Sequence, residues 1–173
     1  MIFGDGTEKE FSYSKTICAY KNAYFFEKKR CMTCQDHFAG CADISVGDIW
    51  LKKMKNDSHK YTCCVIRNEK ALALFNLAVN AGDIIDSHIS RRDVINGQKR
   101  ALVFKFRCAG AKAKHYPSAK LDTADKCKWN HRLAFRLAEK DREFSEKHYS
   151  TLEKIPTGII YYYMCFIRVL LSF

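Results

Sequence analysis

Arg30-Cys31-Met32-Thr33-Cys34-Gln35-Asp36-His37-Phe38-Ala39-Gly40-Cys41-Ala42-Asp43-Ile44-Ser45-Val46-Gly47-Asp48-Ile49-Trp50 is the stretch from which the rest of the chain is read. Its C-x-x-C lets two thiolates from one tight turn reach the same metal or cluster. Lys28-Lys29-Arg30 stands immediately before Cys31. Positive charge there favours thiolate over thiol and helps to hold an anionic group, although the same lysines also suit a plain solvated turn. From Ala42 to Asp48 the residues alternate around Ile44 and Val46, which predicts a short strand entered through Asp43 and left through Gly47-Asp48.

Working downstream, Tyr61 to Ile66 is a second candidate strand. Cys63 and Cys64 sit inside it, and neighbours on a strand point to opposite faces, so the two are poor co-ligands and better core residues. Asn68 can cap a helix over Lys70–Ala81 that carries Leu74, Phe75, Ala78 and Val79 on one face, and Gly82 supplies a left-handed stop. Ile84-Ile85 reads as another short strand, which makes the segment βαβ-like. Upstream, Gly4-Asp5-Gly6 is a turn signal and Glu10 to Tyr13 alternates, the pattern of a β-hairpin.

Beyond residue 90 the pattern is helical. Val94, Ile95, Ala101, Leu102 and Phe106 fit one helix despite Gly97. Asp122 or Thr123 can cap a second, with Trp129, Leu133, Leu137 and Phe144 as its apolar side, and a third follows Pro156 from Gly158 to Phe173. His115-Tyr116-Pro117-Ser118 is the best boundary between the mixed part and the helical tail. The expected fold is therefore α+β: a small mixed β-sheet with flanking helices over 1–115, followed by a basic helical C-terminal tail over 116–173.

Composition narrows the function. The 173 residues suit one domain, and 47% hydrophobic with 28% charged residues is a folding composition. Asp5, Glu8 and Glu10 stand where a secretory leader would be apolar, and an odd cysteine count of nine argues against a disulfide framework. A cytoplasmic chain with reduced thiols is expected. Residues 1–90 hold 12 Lys+Arg against 11 Asp+Glu, whereas 91–173 hold 18 against 8. The excess belongs to the tail, which suits docking on an acidic partner or an anionic membrane, or simply a solvated helix face. Nucleic acid is not the expected partner, since no stripe of interleaved aromatics and Arg forms a single-strand platform. Residues 158–173 are apolar except for Arg168 and too short to span a bilayer; they suit a buried helix or a peripheral membrane anchor.

Two further ligand sets are spaced for metal. Cys127 and His131 stand four apart, but two ligands are not a site and packing is the better reading. Cys31, Cys34, His37 and Cys41 could close around zinc, although so compact a loop has only Gly40 to help it fold tetrahedrally. That set defines an alternative function, a zinc-stabilised basic module that docks on nucleic acid, lipid or a protein. No Ser/His/Asp set, Gly-rich phosphate loop or paired catalytic carboxylates appear, so no residue is assigned an acid–base role.

Arg30-Cys31-x-x-Cys34-x-Asp36 followed by Ala42-Asp43-Ile44-Ser45-Val46-Gly47-Asp48-x-Trp50 resembles the C-terminal part of the coenzyme F-420 hydrogenase/dehydrogenase beta-subunit family. Gly4 to Tyr13 resembles the hairpin before the family's cysteines, Thr62 to Asn68 its strand ending in Arg, and Ala78 to Ile84 its helix exit. Leu51 stands where many members carry Gly. The likeness covers roughly residues 1–110 and leaves the tail unmatched. It implies an electron-transfer oxidoreductase subunit with FAD and a 4Fe–4S cluster, in which Cys31 and Cys34 are two of four cluster ligands. The other two come, in the family, from segments upstream of the hairpin. This chain is therefore expected to be a fragment, unable to build the cluster by itself and completed by a missing N-terminal half or another redox subunit. A deazaflavin or ferredoxin-type electron partner is implied, and Asp43, Ser45, Gly47 and Asp48 are candidates for the cofactor region.

Overall fold

In the computed structural model, which describes residues 6, 8, 10, 13, 15–54, 56–57, 59–152 and 154–173, the elements follow in order. They are α1 (Ile17–Asn22), α2 (Lys29–Thr33), β1 (Ile44–Asp48), β2 (Thr62–Ile66), α3 (Glu69–Asn80), α4 (Arg91–Gly97), α5 (Lys99–Leu102), α6 (Ala109–His115), α7 (Trp129–Lys147), α8 (Tyr149–Leu152) and α9 (Thr157–Leu170). A π-helical turn, Val103–Arg107, lies between α5 and α6. Most of the hairpin expected over Gly4–Tyr13 lies outside the described residues. Two compact units emerge. One is Asp36–Leu102, the other joins the chain up to Gln35 with Val103–Phe173. His115–Ser118 thus lies inside the helical unit.

In the first unit, β1 and β2 form an antiparallel pair in which Ile44 faces Ile66, Ser45 faces Val65 and Gly47 faces Cys63. Cross-strand partners share a face, so Cys63 and Cys64 point apart as the alternation predicts. The Arg67 guanidinium fastens the pair: it donates to the carbonyls of Phe38 and Ala42 and, at 3.1 Å, to Ser45 Oγ. Asn68 caps α3, its side chain accepting from the Ala71 amide at 2.9 Å, and Gly82 ends the turn beyond it at φ +81°. Both follow from local backbone rules. The α+β class holds, with a sheet of two antiparallel strands among the described residues, narrower than a mixed one. Ile84-Ile85 is not a strand: it has no ladder to join, and Ile85 is fully exposed. Ala71, Phe75, Ala78 and Val79 face inward on α3, whereas Leu74 is exposed together with Leu72 and Leu77.

The single helix expected across Val94–Phe106 is broken. α4 ends at Gly97, and the amide of Gln98 closes the turn on Val94 and Ile95. Farther on, the Cys108 amide reaches back five residues to the Val103 carbonyl at 3.1 Å, the bond of a π turn.

The second unit is built on α1, α6, α7 and α9. Its core includes Ala19, Phe25, Met32, Phe104, Phe135, Ala138, Met164 and Ile167. α7 begins after Lys128 rather than at Asp122 or Thr123. Asp122 is held elsewhere, exchanging two bonds with the Gln35 side chain at 2.7 and 2.8 Å. The buried face of α7 is also rotated from the expected one: Trp129 is exposed, Leu133, Leu137 and Phe144 are half-buried, and His131, Glu139, Asp141 and Arg142 are inside. An apolar count does not see a helix that buries paired charges. On α9, Ile160, Met164, Ile167 and Leu170 face the core, while Ile159, Tyr162, Phe166 and Val169 face outward. Among the described residues no helix is long and apolar enough to cross a membrane.

Candidate functional site

Cys31 stands in the short helix α2, and Cys34 is the extended residue that ends it. Met32, between the two thiols, is buried and anchors the turn, which leaves Cys31 exposed and Cys34 half-buried on its other sides. The amide of Cys31 closes on the Lys28 carbonyl at 2.8 Å, so the basic residues of the sequence lie at the start of this helix. At its end, Lys105 Nζ donates to the Cys34 carbonyl at 3.0 Å. Lys105 comes from the π turn, and Phe104, Cys108 and Lys112, four apart in the sequence, are all buried.

Lys112 is the unusual member of these three. It is fully buried, and its Nζ has no hydrogen-bond partner among the described residues. The ammonium lies 3.8 Å from the centroid of the Phe104 ring, a cation–π contact, and Tyr24 stacks on the same ring with centroids 4.1 Å apart. Burial, with a smaller push from the Lys105 ammonium, pulls its pKa down to about 8. Cys108 gives no counter-charge. Burial pushes its thiol up to about 12, and the thiol faces the His131 carbonyl at 3.4 Å.

Two soft thiol donors beside an orphaned buried cation suit an anionic, thiolate-ligated metal group better than a bare cation. They fit half of a four-cysteine cluster site. A bound 4Fe–4S cluster would be held at Cys31 and Cys34.

The sheet unit holds a cleft of about 230 Å³ against the β1–β2 face. Ser45, Gly47 and Asp48 line it, together with His37, Cys63 and Gln98. Gln98 organises the rim: its amide nitrogen donates to the Asp48 carbonyl at 2.8 Å, and its oxygen meets His37 Nε2 at 3.1 Å. A Cβ at Gly47 would meet no atom within 4 Å, so this wall is open. Cys63 has its thiol pKa raised by burial and by Cys64, which keeps it neutral. The fourth candidate, Asp43, is not among the lining residues; its carboxylate accepts from the Asn68 side chain beside the α3 cap. A drug-sized ligand fills roughly 300–1,000 Å³. The cleft therefore takes part of a cofactor, a ring edge or a short chain, rather than a whole dinucleotide. It offers binding groups and no acid–base pair.

The other ligand sets resolve differently. His131 is buried, with Nδ1 accepting from the Lys128 amide at 3.3 Å and Nε2 at 3.1 Å from the Phe173 carbonyl, so both nitrogens are engaged and no metal pairing with Cys127 forms. Cys31 and Cys34 belong to the helical unit, His37 and Cys41 to the sheet unit. Among the described residues, His115, Glu139 and Glu143 bring three ligand atoms within 4.8 Å of one another. The charge this trio needs is already there: Arg142 lies 2.6 Å from Glu139 and 3.7 Å from Glu143.

Lys105 and Lys112 escaped the sequence reading. The one signal for them was the four-residue spacing Phe104, Cys108, Lys112, which puts a lysine on an apolar stripe between small residues.

A family model describing the C terminus of the coenzyme F420 hydrogenase/dehydrogenase beta subunit matches residues 2–91, half of the chain. It spans both the cysteine pair and the cleft strand. No curated protein and no solved structure matches.

Proposed function

The chain belongs to the family defined by the C terminus of coenzyme F420 hydrogenase/dehydrogenase beta subunits, and from that premise we propose that it works as the C-terminal part of an electron-transfer oxidoreductase subunit. Two thiolates, from Cys31 and Cys34, go to a 4Fe–4S cluster, and the remaining ligands and the FAD domain come from another segment or subunit. The observation that carries the reading is the cysteine pair backed by a buried, unpartnered ammonium. A cluster and a flavin together let a protein pass between one-electron and two-electron carriers, such as a ferredoxin-type partner and a deazaflavin coenzyme. The protein's own part is to hold the cluster at the α2 turn and to offer the Ser45–Asp48 cleft to a piece of cofactor.

The family is named for a subunit, so other subunits are its natural neighbours. Lys128, which precedes α7, and Arg132, Arg136 and Lys140 on it are all exposed at four-residue spacing. Such a stripe suits an acidic partner surface. The outward apolar residues of α9 offer a second contact, to a partner or a membrane surface on the cytoplasmic side.

Metal content tests the proposal. The chain purified alone should be colourless, and joining it with the N-terminal part of a family beta subunit should bring broad absorbance reaching the visible blue. An isolated chain already loaded with a complete cluster would overturn the shared-ligand reading. Stoichiometric zinc, with stability lost on chelation, would favour a zinc-stabilised binding module instead.

A further inference from the structure

We infer that Lys112, on α6, is the counter-charge for the metal–sulfur group at Cys31 and Cys34, a positioning residue that makes the thiolate pair select an anionic cluster over a bare divalent cation. The inference rests on the reading of that pair as cluster ligands.

A protonated lysine with no acceptor is among the least favourable things to bury, and chains avoid it unless an anion joins. The same helical unit shows how a buried cation is ordinarily handled. Arg142 is as deeply buried as Lys112, but it has Glu139 on one side and Glu146 on the other, at 2.6 and 2.8 Å. Lys112 has the face of Phe104 and, among the described residues, no hydrogen-bond acceptor. Its neighbour Cys108 is a neutral thiol. The elements that carry Lys112 and the cysteine pair, α6 and α2, pack on each other, and Cys34 is close enough to interact with the ammonium electrostatically. Lys105 adds a second ammonium on the Cys34 carbonyl. A buried Lys112 ammonium without an acceptor is not matched by zinc on two thiolates, which has no net charge. It suits a 4Fe–4S cluster in thiolate ligation, which is an anion.

The pair can be examined without the missing ligands, using a preformed 4Fe–4S cluster that carries a small thiolate such as mercaptoethanol on each iron. Two iron–thiolate bonds to the small ligand break and two to Cys31 and Cys34 form. Each cysteine gives its proton to a leaving thiolate, and no electron moves. The purified chain is titrated with this cluster anaerobically and the transfer followed by visible circular dichroism, beside a zinc titration and a melting curve of the empty chain.

Lys112→Met should weaken cluster uptake about tenfold, the scale of one charge across a short, partly screened distance, leave zinc affinity equal or higher, and raise the melting temperature of the empty chain. Lys112→Arg, which keeps the charge, should retain most of the uptake. Equal cluster uptake by wild type and Lys112→Met overturns the inference and leaves the ligand reading of the pair intact. A fall in melting temperature for both Lys112→Met and Lys112→Gln overturns it as well, because the ammonium is then structural. Undiminished uptake by Cys31→Ser with Cys34→Ser overturns the ligand reading itself, and no uptake by wild type overturns both.

Discussion

Arg142 donates from both Nε and Nη2 to a single oxygen of Glu139, at 2.9 and 2.6 Å, inside the long helix α7. Tyr116 completes the pair by donating its hydroxyl to the other Glu139 oxygen. Glu139→Ala strands the guanidinium with Glu146 as its remaining close partner, so it should destabilise the chain by about 3 kcal/mol in urea unfolding. Burial alone would raise the Glu139 pKa, but the bonds from Arg142 and Tyr116 and the charges of Arg142 and His115 outweigh it and hold the carboxyl below its usual range. The stabilisation is therefore present above the unfolded carboxylate pKa and lost as pH falls through the lower folded value. Glu139→Gln should flatten that acid limb of the stability curve.

Asp141, on the same helix, behaves oppositely. Its only hydrogen-bond donor among the described residues is the Tyr163 hydroxyl, at 3.0 and 2.9 Å, and burial raises its pKa to about 7. The folded carboxyl holds its proton more tightly than the unfolded one. This contribution to stability is complete below about pH 4, the unfolded value, and gone as pH rises past about 7. Asp141→Asn should thus be more stable than wild type at pH 8, by on the order of 2 kcal/mol, and no more stable at pH 4. Melting curves at the two pH values check it.

Gly47 offers a way to fill the cleft without disturbing the fold. A side chain there meets open space, and valine suits a strand better than glycine. Gly47→Val should match wild type in melting temperature or exceed it. In a beta subunit joined to its flavin part it should lower the flavin retained after gel filtration. Undiminished flavin would remove the cleft from the cofactor region.

What the sequence made legible was local. The Asn68 cap, the Gly82 stop and the two strands around Ile44–Asp48 and Thr62–Ile66 depend on near neighbours, and each stands where its pattern puts it. The π turn at Val103–Arg107 was not legible, since one residue added to a helical turn leaves the apolar spacing nearly unchanged, and the Lys105–Cys34 contact made there joins residues 71 positions apart. The inner face of α7 was misjudged because Glu139 and Arg142 neutralise each other there, and hydrophobic periodicity counts charged residues as outside. The cysteines were visible as a motif. Their cationic backing was hidden, because one lysine among thirty Lys and Arg residues gives no sign of being buried.

The central claim is that Cys31 and Cys34 ligate a cluster in the assembled subunit. The most direct measurement is iron and acid-labile sulfide content, with the spin signal of the reduced protein, in an assembled beta subunit with Cys31→Ser and Cys34→Ser in place. Loss of one complete 4Fe–4S complement and its signal, with the fold retained by circular dichroism, is the predicted result. An unchanged complement and signal in the doubly substituted protein would contradict it.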